Sequence, residues 1–213
     1  MRIQQLIMVL ALCVISEACE TPRLFTVTIE DRPERVVRLQ AVELANPDQG
    51  FSHPVKLRAD TIQDILYGII VEIPTTPFSS SGTRHRAFTK GEAKALARSV
   101  ARGLSQATPE ELVTFFESHE IDEDFRVITS GGLFVQDEYL YVILSNDRVK
   151  RPIWQDNEQY EAPYRLRPLE PLDPQPGQVM FEQPDLMAPP LTDSPFDLPI
   201  SANWVVGVRY ASP

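Results

Sequence analysis

Between Arg84 and Arg102 the chain carries six Lys or Arg residues and a single acid, Glu92. Lys90, Lys94, Arg98 and Arg102 are spaced four apart, which sets side chains in one row along a helix. With Arg84, His85 and Arg86 just ahead of them, they would form a positive ridge suited to an anionic glycan, a lipid headgroup or an acidic protein surface. The alternative is a solvated helix face whose charge is balanced by nearby acids. Pro109 to Asp147 has the opposite bias, with ten acids and one arginine. In it, His119-Glu120-Ile121-Asp122-Glu123-Asp124 gathers one imidazole and four carboxylates, the ligand types of a divalent ion. Its spacing matches neither an EF-hand nor a helical His-Glu-x-x-His pair, so an acidic surface loop is expected there and no metal site.

Nucleophilic catalysis needs a serine held against a base. Ser79-Ser80-Ser81-Gly82 and Ser130-Gly131-Gly132 place serine beside glycine, but neither forms Gly-x-Ser-x-Gly. The first reads as a loop and the second as a hairpin turn. No glycine loop for phosphates and no dinucleotide fingerprint occurs, so no catalytic residue and no cofactor is predicted. A formal net charge of −10 argues against nucleic acid as a partner.

The N-terminus carries a different kind of signal. Met1-Arg2 is a short basic start, Leu6 to Ile15 is an unbroken apolar run, and Ser16-Glu17-Ala18 offers small residues at its first and third positions. This is the layout of a secretory signal peptide over residues 1–18. Ten residues of helix span about 15 Å, half a bilayer core, which is too short for a membrane span. The segment Ile15-Ser16-Glu17-Ala18-Cys19 resembles a bacterial lipobox, departing from it at Ser16 and Glu17. The resemblance covers about twenty residues and implies a diacylated Cys19 and attachment to a membrane. Ordinary signal peptidase would also cut before Cys19 and leave a free thiol. Cys13 and Cys19 are the only cysteines, so the mature chain has none beyond its first residue for a disulfide framework or a thiolate site.

These features must be positioned by the remaining elements. Leu24–Ile29 and Arg35–Glu43 read as strands joined by a turn at Asp31-Arg32-Pro33, and Asp60-Thr61 as the start of a short helix through Tyr67. Gly68–Ile73 reads as a buried strand and Thr75–Thr89 as a polar loop. Thr89-x-x-Glu92 is a capping box, and Ala93, Leu96, Ala97, Val100, Ala101 and Leu104 recur on one face, predicting an amphipathic helix over 90–106. Leu112–Phe116, Phe125–Thr129, Leu133–Gln136 and Tyr139–Ser145 read as strands of a meander. The expected fold is α+β: a mainly antiparallel sheet packed by one long helix, over residues 19–150.

From Arg151 to Pro199 there are eleven prolines in 49 residues, which favours an extended arm over 151–200. Its apolar residues, Trp154, Tyr160, Tyr164, Phe181 and Phe196 among them, call for an arm that wraps its own domain or docks on a partner. Residues 201–213 hold a final strand, Asn203–Tyr210, a candidate to return to the sheet. The sequence therefore reads as a non-enzymatic exported envelope lipoprotein or periplasmic protein with an assembly or interaction role. A small-ligand or lipid carrier is the alternative, and an envelope hydrolase a more distant one.

Overall fold

The computed structural model describes residues 25–46, 48, 50–75, 82–153, 163–189, 191, 195–197 and 200–210. The signal segment, Cys19, Trp154 and Tyr160 lie outside these residues. Six strands form one antiparallel sheet in the order β1-β2-β5-β6-β7-β9: β1 (Phe25–Arg32), β2 (Arg35–Ala41), β5 (Glu111–Glu120), β6 (Phe125–Gln136), β7 (Tyr139–Pro152) and β9 (Val205–Arg209). A second antiparallel sheet is ordered β4-β3-β8, with β3 (Ile69–Pro74) between β4 (Gly82–Arg86) and β8 (Gln178–Phe181). Two helices, α1 (Ala59–Gly68) and α2 (Lys90–Leu104), complete an α+β fold that is mostly antiparallel sheet. Among the described residues no helix is long and apolar enough to cross a membrane.

Strand alternation explains the layering, because successive side chains point to opposite faces. Val37 and Leu39 of β2, Val113 and Phe115 of β5, Leu133 and Val135 of β6, and Leu140, Val142 and Leu144 of β7 share one buried cluster with both helices. The small sheet joins the same core through Val71, Val179 and Phe181. On the opposite face, Leu112, Phe134, Tyr141 and Ile143 lie under Phe51, Leu169 and Phe196, while Val36, Phe116 and Ile128 lie under Tyr164 and Leu172. The sheet is thus covered on both sides. Each large side chain so buried contributes about 1.5–3 kcal/mol.

The helices follow from local rules. In α2 the Thr89 hydroxyl accepts from the Glu92 amide at 3.2 Å, while Glu92 Oε2 accepts from the Thr89 amide at 2.6 Å, closing the capping box. Ala93, Leu96, Ala97, Val100 and Leu104 are buried. In α1, Ile62, Ile65 and Leu66 form the buried stripe, and Asp60 in the first turn complements the helix dipole. Its N-cap is Arg58, with no side-chain cap.

Three local expectations are corrected. The turn expected at Asp31-Arg32-Pro33 falls at Pro33-Glu34, because β1 continues through Asp31 and Arg32, paired opposite Val36 and Arg35. Ser130-Gly131-Gly132 is not a turn: all three residues sit inside β6, at a bulge opposite β7. A Cβ on Gly131 would fall on the Ile143 carbonyl oxygen, so glycine is needed there for close strand approach, and the hairpin turn comes later at Asp137-Glu138, where Asp137 has φ 54°. The stretch expected as a loop over Thr75–Thr89 contains β4, registered against β3 from Gly82 opposite Pro74 to Arg86 opposite Ile70. The polar composition of β4 fits an edge strand.

The proline-rich stretch is built into the fold wherever it is described. Tyr164 stacks on Phe116, Leu169 and Phe196 are buried, β8 pairs with β3, and the Met187 and Val208 positions form an isolated bridge. Short 3-10 turns at Pro163–Leu166 and Pro184–Leu186 interrupt the extended backbone expected over most of the stretch. Strand β9 returns to pair with β7.

Candidate functional site

The predicted basic ridge divides in two. Arg84 and Arg86 lie on β4, where their charges are spent within the fold: Arg84 Nε donates to Glu72 at 2.8 Å, and Arg86 Nη2 donates to Glu182 at 2.7 Å. The Arg86 guanidinium also donates to the Tyr67 carbonyl and sits 4.1 Å from that ring's centre. Lys90, Lys94, Arg98 and Arg102 are exposed along α2, as their spacing required. No carboxylate among the described residues is paired with any of these four.

Lys94, Arg98 and Arg102 form one wall of a groove of about 490 Å³. Gly91, Ala95 and Ser99 of α2 continue that wall, and Ile29, Glu30, Arg32 and Arg35 of the β1–β2 hairpin form the other. Five cations and one carboxylate line it, a formal charge of +4 on a chain that totals −10. Lys90 precedes the groove at the first position of α2. A cleft of similar size, about 500 Å³, is lined by Glu43, Glu170 and Asp197 against Arg167 and so has the opposite formal charge.

The groove's acid is held by its own cations. Glu30 Oε1 lies 3.1 Å from Arg32 and 3.6 Å from Arg35, and its other oxygen accepts from the Ser99 hydroxyl, tying β1 to α2. Glu30 and its partners Arg32 and Arg35 are therefore largely paired internally, which leaves Lys94, Arg98 and Arg102 as the cations of the groove with no carboxylate partner among the described residues. The field of such a row of cations is screened by ordinary salt over about 8–10 Å.

Behind the groove lies a second polar cluster. Arg35 Nε donates to Glu117 Oε1 at 2.7 Å, and the Glu117 side chain is 1% exposed. Its other oxygen has no hydrogen-bond partner. Burial, opposed by the Arg35 hydrogen bond and charge and reinforced by the nearby Glu92 and Glu30 carboxylates, pushes the Glu117 carboxyl up to about 7. His119 Nε2 is 3.0 Å from Glu92 Oε1 but makes no well-directed hydrogen bond. The ligand atoms of Glu92, Glu117 and His119 all lie within 4.8 Å of one another.

The acidic stretch predicted as one loop is thus split. His119 and Glu120 end β5, and His119 shares the face of Glu117 and Phe115, toward α2. Asp122 Oδ1 accepts from the amides of Asp124 and Phe125, which builds the turn into β6. Compared with known proteins, the chain matches no family, no curated sequence and no solved structure.

Sequence reasoning missed Arg32, Arg35, Glu30 and Glu117. A signal was present in the strands themselves. Arg35 precedes Val37 and Leu39 on one face of β2, and Glu117 and His119 follow Val113 and Phe115 on one face of β5. Charged residues that continue an inward-facing apolar alternation mark a buried polar site.

Proposed function

We propose that the protein is a non-enzymatic, exported component of a bacterial cell envelope, anchored to a membrane by lipid on Cys19, that captures an anionic partner in the groove between α2 and the β1–β2 hairpin. The observation that carries this reading is the row Lys94, Arg98 and Arg102, unpaired among the described residues and facing Arg32 and Arg35 in an otherwise acidic protein. The partner is an acidic glycan, an anionic lipid headgroup or an acidic protein surface. In this reading the amphipathic α2 serves as the wall of the site. The described parts of the proline-rich 151–200 segment pack on the two sheets, through Tyr164, Leu169 and Phe196 on the large one and Gln178–Phe181 on the small one.

The test is double charge reversal, Arg98→Glu with Arg102→Glu. It takes the groove from +4 to 0 at positions exposed on the helix. Binding to an acidic polysaccharide, to phosphatidylglycerol vesicles and to poly-glutamate is compared for native and variant protein at two salt concentrations. Salt-sensitive binding to one probe, lost in the variant with the melting temperature unchanged, is expected; binding that survives the reversal sinks the reading. Intact-mass measurement of the membrane-extracted native chain and of Cys19→Ser tests the anchor. An unmodified native chain would remove it.

A further inference from the structure

We propose that Glu92 of α2 together with Glu117 and His119 of β5 forms a binding site for a single divalent transition-metal cation of the zinc class. Three ligand atoms around one ion at 2.0–2.2 Å stand about 3.3–3.6 Å apart in tetrahedral geometry. Here all three lie within 4.8 Å of one another, so closure by at most about 1.5 Å completes the set. Proximity of acids alone would not make a site. What points to a ligand is that both Glu117 Oε2 and His119 Nε2 are buried atoms lacking a hydrogen-bond partner, and both belong to this trio. A buried polar atom left unpartnered costs about 1–3 kcal/mol, more when charged, and a cation at the centre of the trio would satisfy both.

The carboxylates are also oriented as ligands are. Each has one oxygen fixed by a main-chain or guanidinium donor, which turns the other toward the trio. Glu92 Oε2 accepts from the Thr89 amide while Oε1 points at His119, and Glu117 Oε1 accepts from Arg35 while Oε2 is unused. Outer hydrogen bonds of this kind hold metal ligands in place. The capping box of α2 thereby does two jobs, starting the helix and aiming a ligand. Two carboxylates match the charge of a divalent ion, and the imidazole selects a borderline metal over calcium or magnesium, which take six or more oxygens. This site is separate from anion capture: the three ligands are untouched by reversal of Arg98 and Arg102, and its test involves no anion.

The full chain, stripped with a chelator and dialysed, is titrated with zinc chloride against a chromophoric zinc indicator, beside Glu117→Gln, His119→Gln and His85→Gln. One zinc per chain is expected. Each of the first two substitutions should weaken it at least about tenfold, and His85→Gln, which removes an imidazole that is not one of the three ligands, should leave it unchanged. Glu117→Gln keeps the buried shape, and the His119 side chain is 42% exposed, so thermal unfolding in chelator should show both variants folded. If the Glu117 variant does not fold, the His119 variant decides alone. Absence of zinc binding, a stoichiometric zinc that both substitutions leave unaltered, or preference for calcium over zinc overturns the proposal.

Discussion

His53 lies in the segment between β2 and α1, and its replacement should cost more stability than a single loop residue ordinarily does. The imidazole is 6% exposed, with Nδ1 2.8 Å from the Glu111 carbonyl and Nε2 3.0 Å from the Val135 amide. Only the tautomer with the proton on Nδ1 satisfies both, donating to Glu111 and accepting from Val135. His53→Ala leaves one carbonyl and one amide buried without partners, at about 1–3 kcal/mol each, so a loss of roughly 2–6 kcal/mol is expected. The same geometry sets the pH dependence. Burial lowers the His53 pKa below its usual 6.5, against smaller opposing contributions from the Glu111 and Thr108 main chain and the Glu111 carboxylate. Below pH 6.5 the unfolded chain therefore binds more protons at this position than the folded one. The stabilisation is present above pH 6.5 and is lost as pH falls through 6.5 toward the lowered folded value, at no more than about 1.4 kcal/mol per pH unit for one proton. Urea unfolding of native protein and of His53→Gln at pH 8, 7, 6 and 5 measures it, because glutamine does not titrate. The gap between them should be widest at pH 8 and narrow toward pH 5. A gap independent of pH, or a His53→Ala variant within about 1 kcal/mol of native, would refute the reasoning.

Two further perturbations address the sheet. Gly131→Ala places a methyl group on the Ile143 carbonyl oxygen at the β6 bulge, and backbone rather than a flexible side chain must yield; a loss of about 1–3 kcal/mol or more in urea unfolding is expected, and a neutral result would mean the strands do not approach as closely as described. A chain ending at Lys150 would lose β8 and β9 and with them Val179, Phe181, Trp204, Val206 and Val208 from the main core. It should show no cooperative unfolding transition, and a sharp, reversible one would place the later residues outside the folding unit.

The features legible in the sequence were those set by short-range chemistry. The capping box at Thr89 and Glu92 and the stripe from Ala93 to Leu104 depend only on neighbours within one helix, and the helix starts where they place it. The Asp137-Glu138 turn was equally legible, and so was the existence of β1 and β2, although β1 runs on through Arg32 and the turn between them falls at Pro33-Glu34. What was hidden depends on partners distant in the chain. Ser130-Gly131-Gly132 has the composition of a turn, yet its glycines serve a close approach to Ile143 that no local window contains. Proline density likewise predicts extended backbone but not the pairing of Gln178–Phe181 with β3, which is set by a strand more than a hundred residues earlier.

The groove shows the same division. Four-residue spacing was enough to align Lys94, Arg98 and Arg102, because a helix fixes its own faces. It could not supply Arg32 and Arg35, since these arrive by tertiary packing of the N-terminal hairpin beside α2. Nor could it separate Arg86 from the row, because the acid that neutralises it, Glu182, is 96 residues away. A charge pattern in sequence gives the sum of charges on an element, whereas binding depends on those left over after internal pairing. Of the six cations from Arg84 to Arg102, internal pairing removes Arg84 and Arg86 and leaves the four on α2. Binding at the groove should therefore respond to substitution of Arg98 or Arg102, and a substitution at Arg84 or Arg86 should act on the small sheet instead.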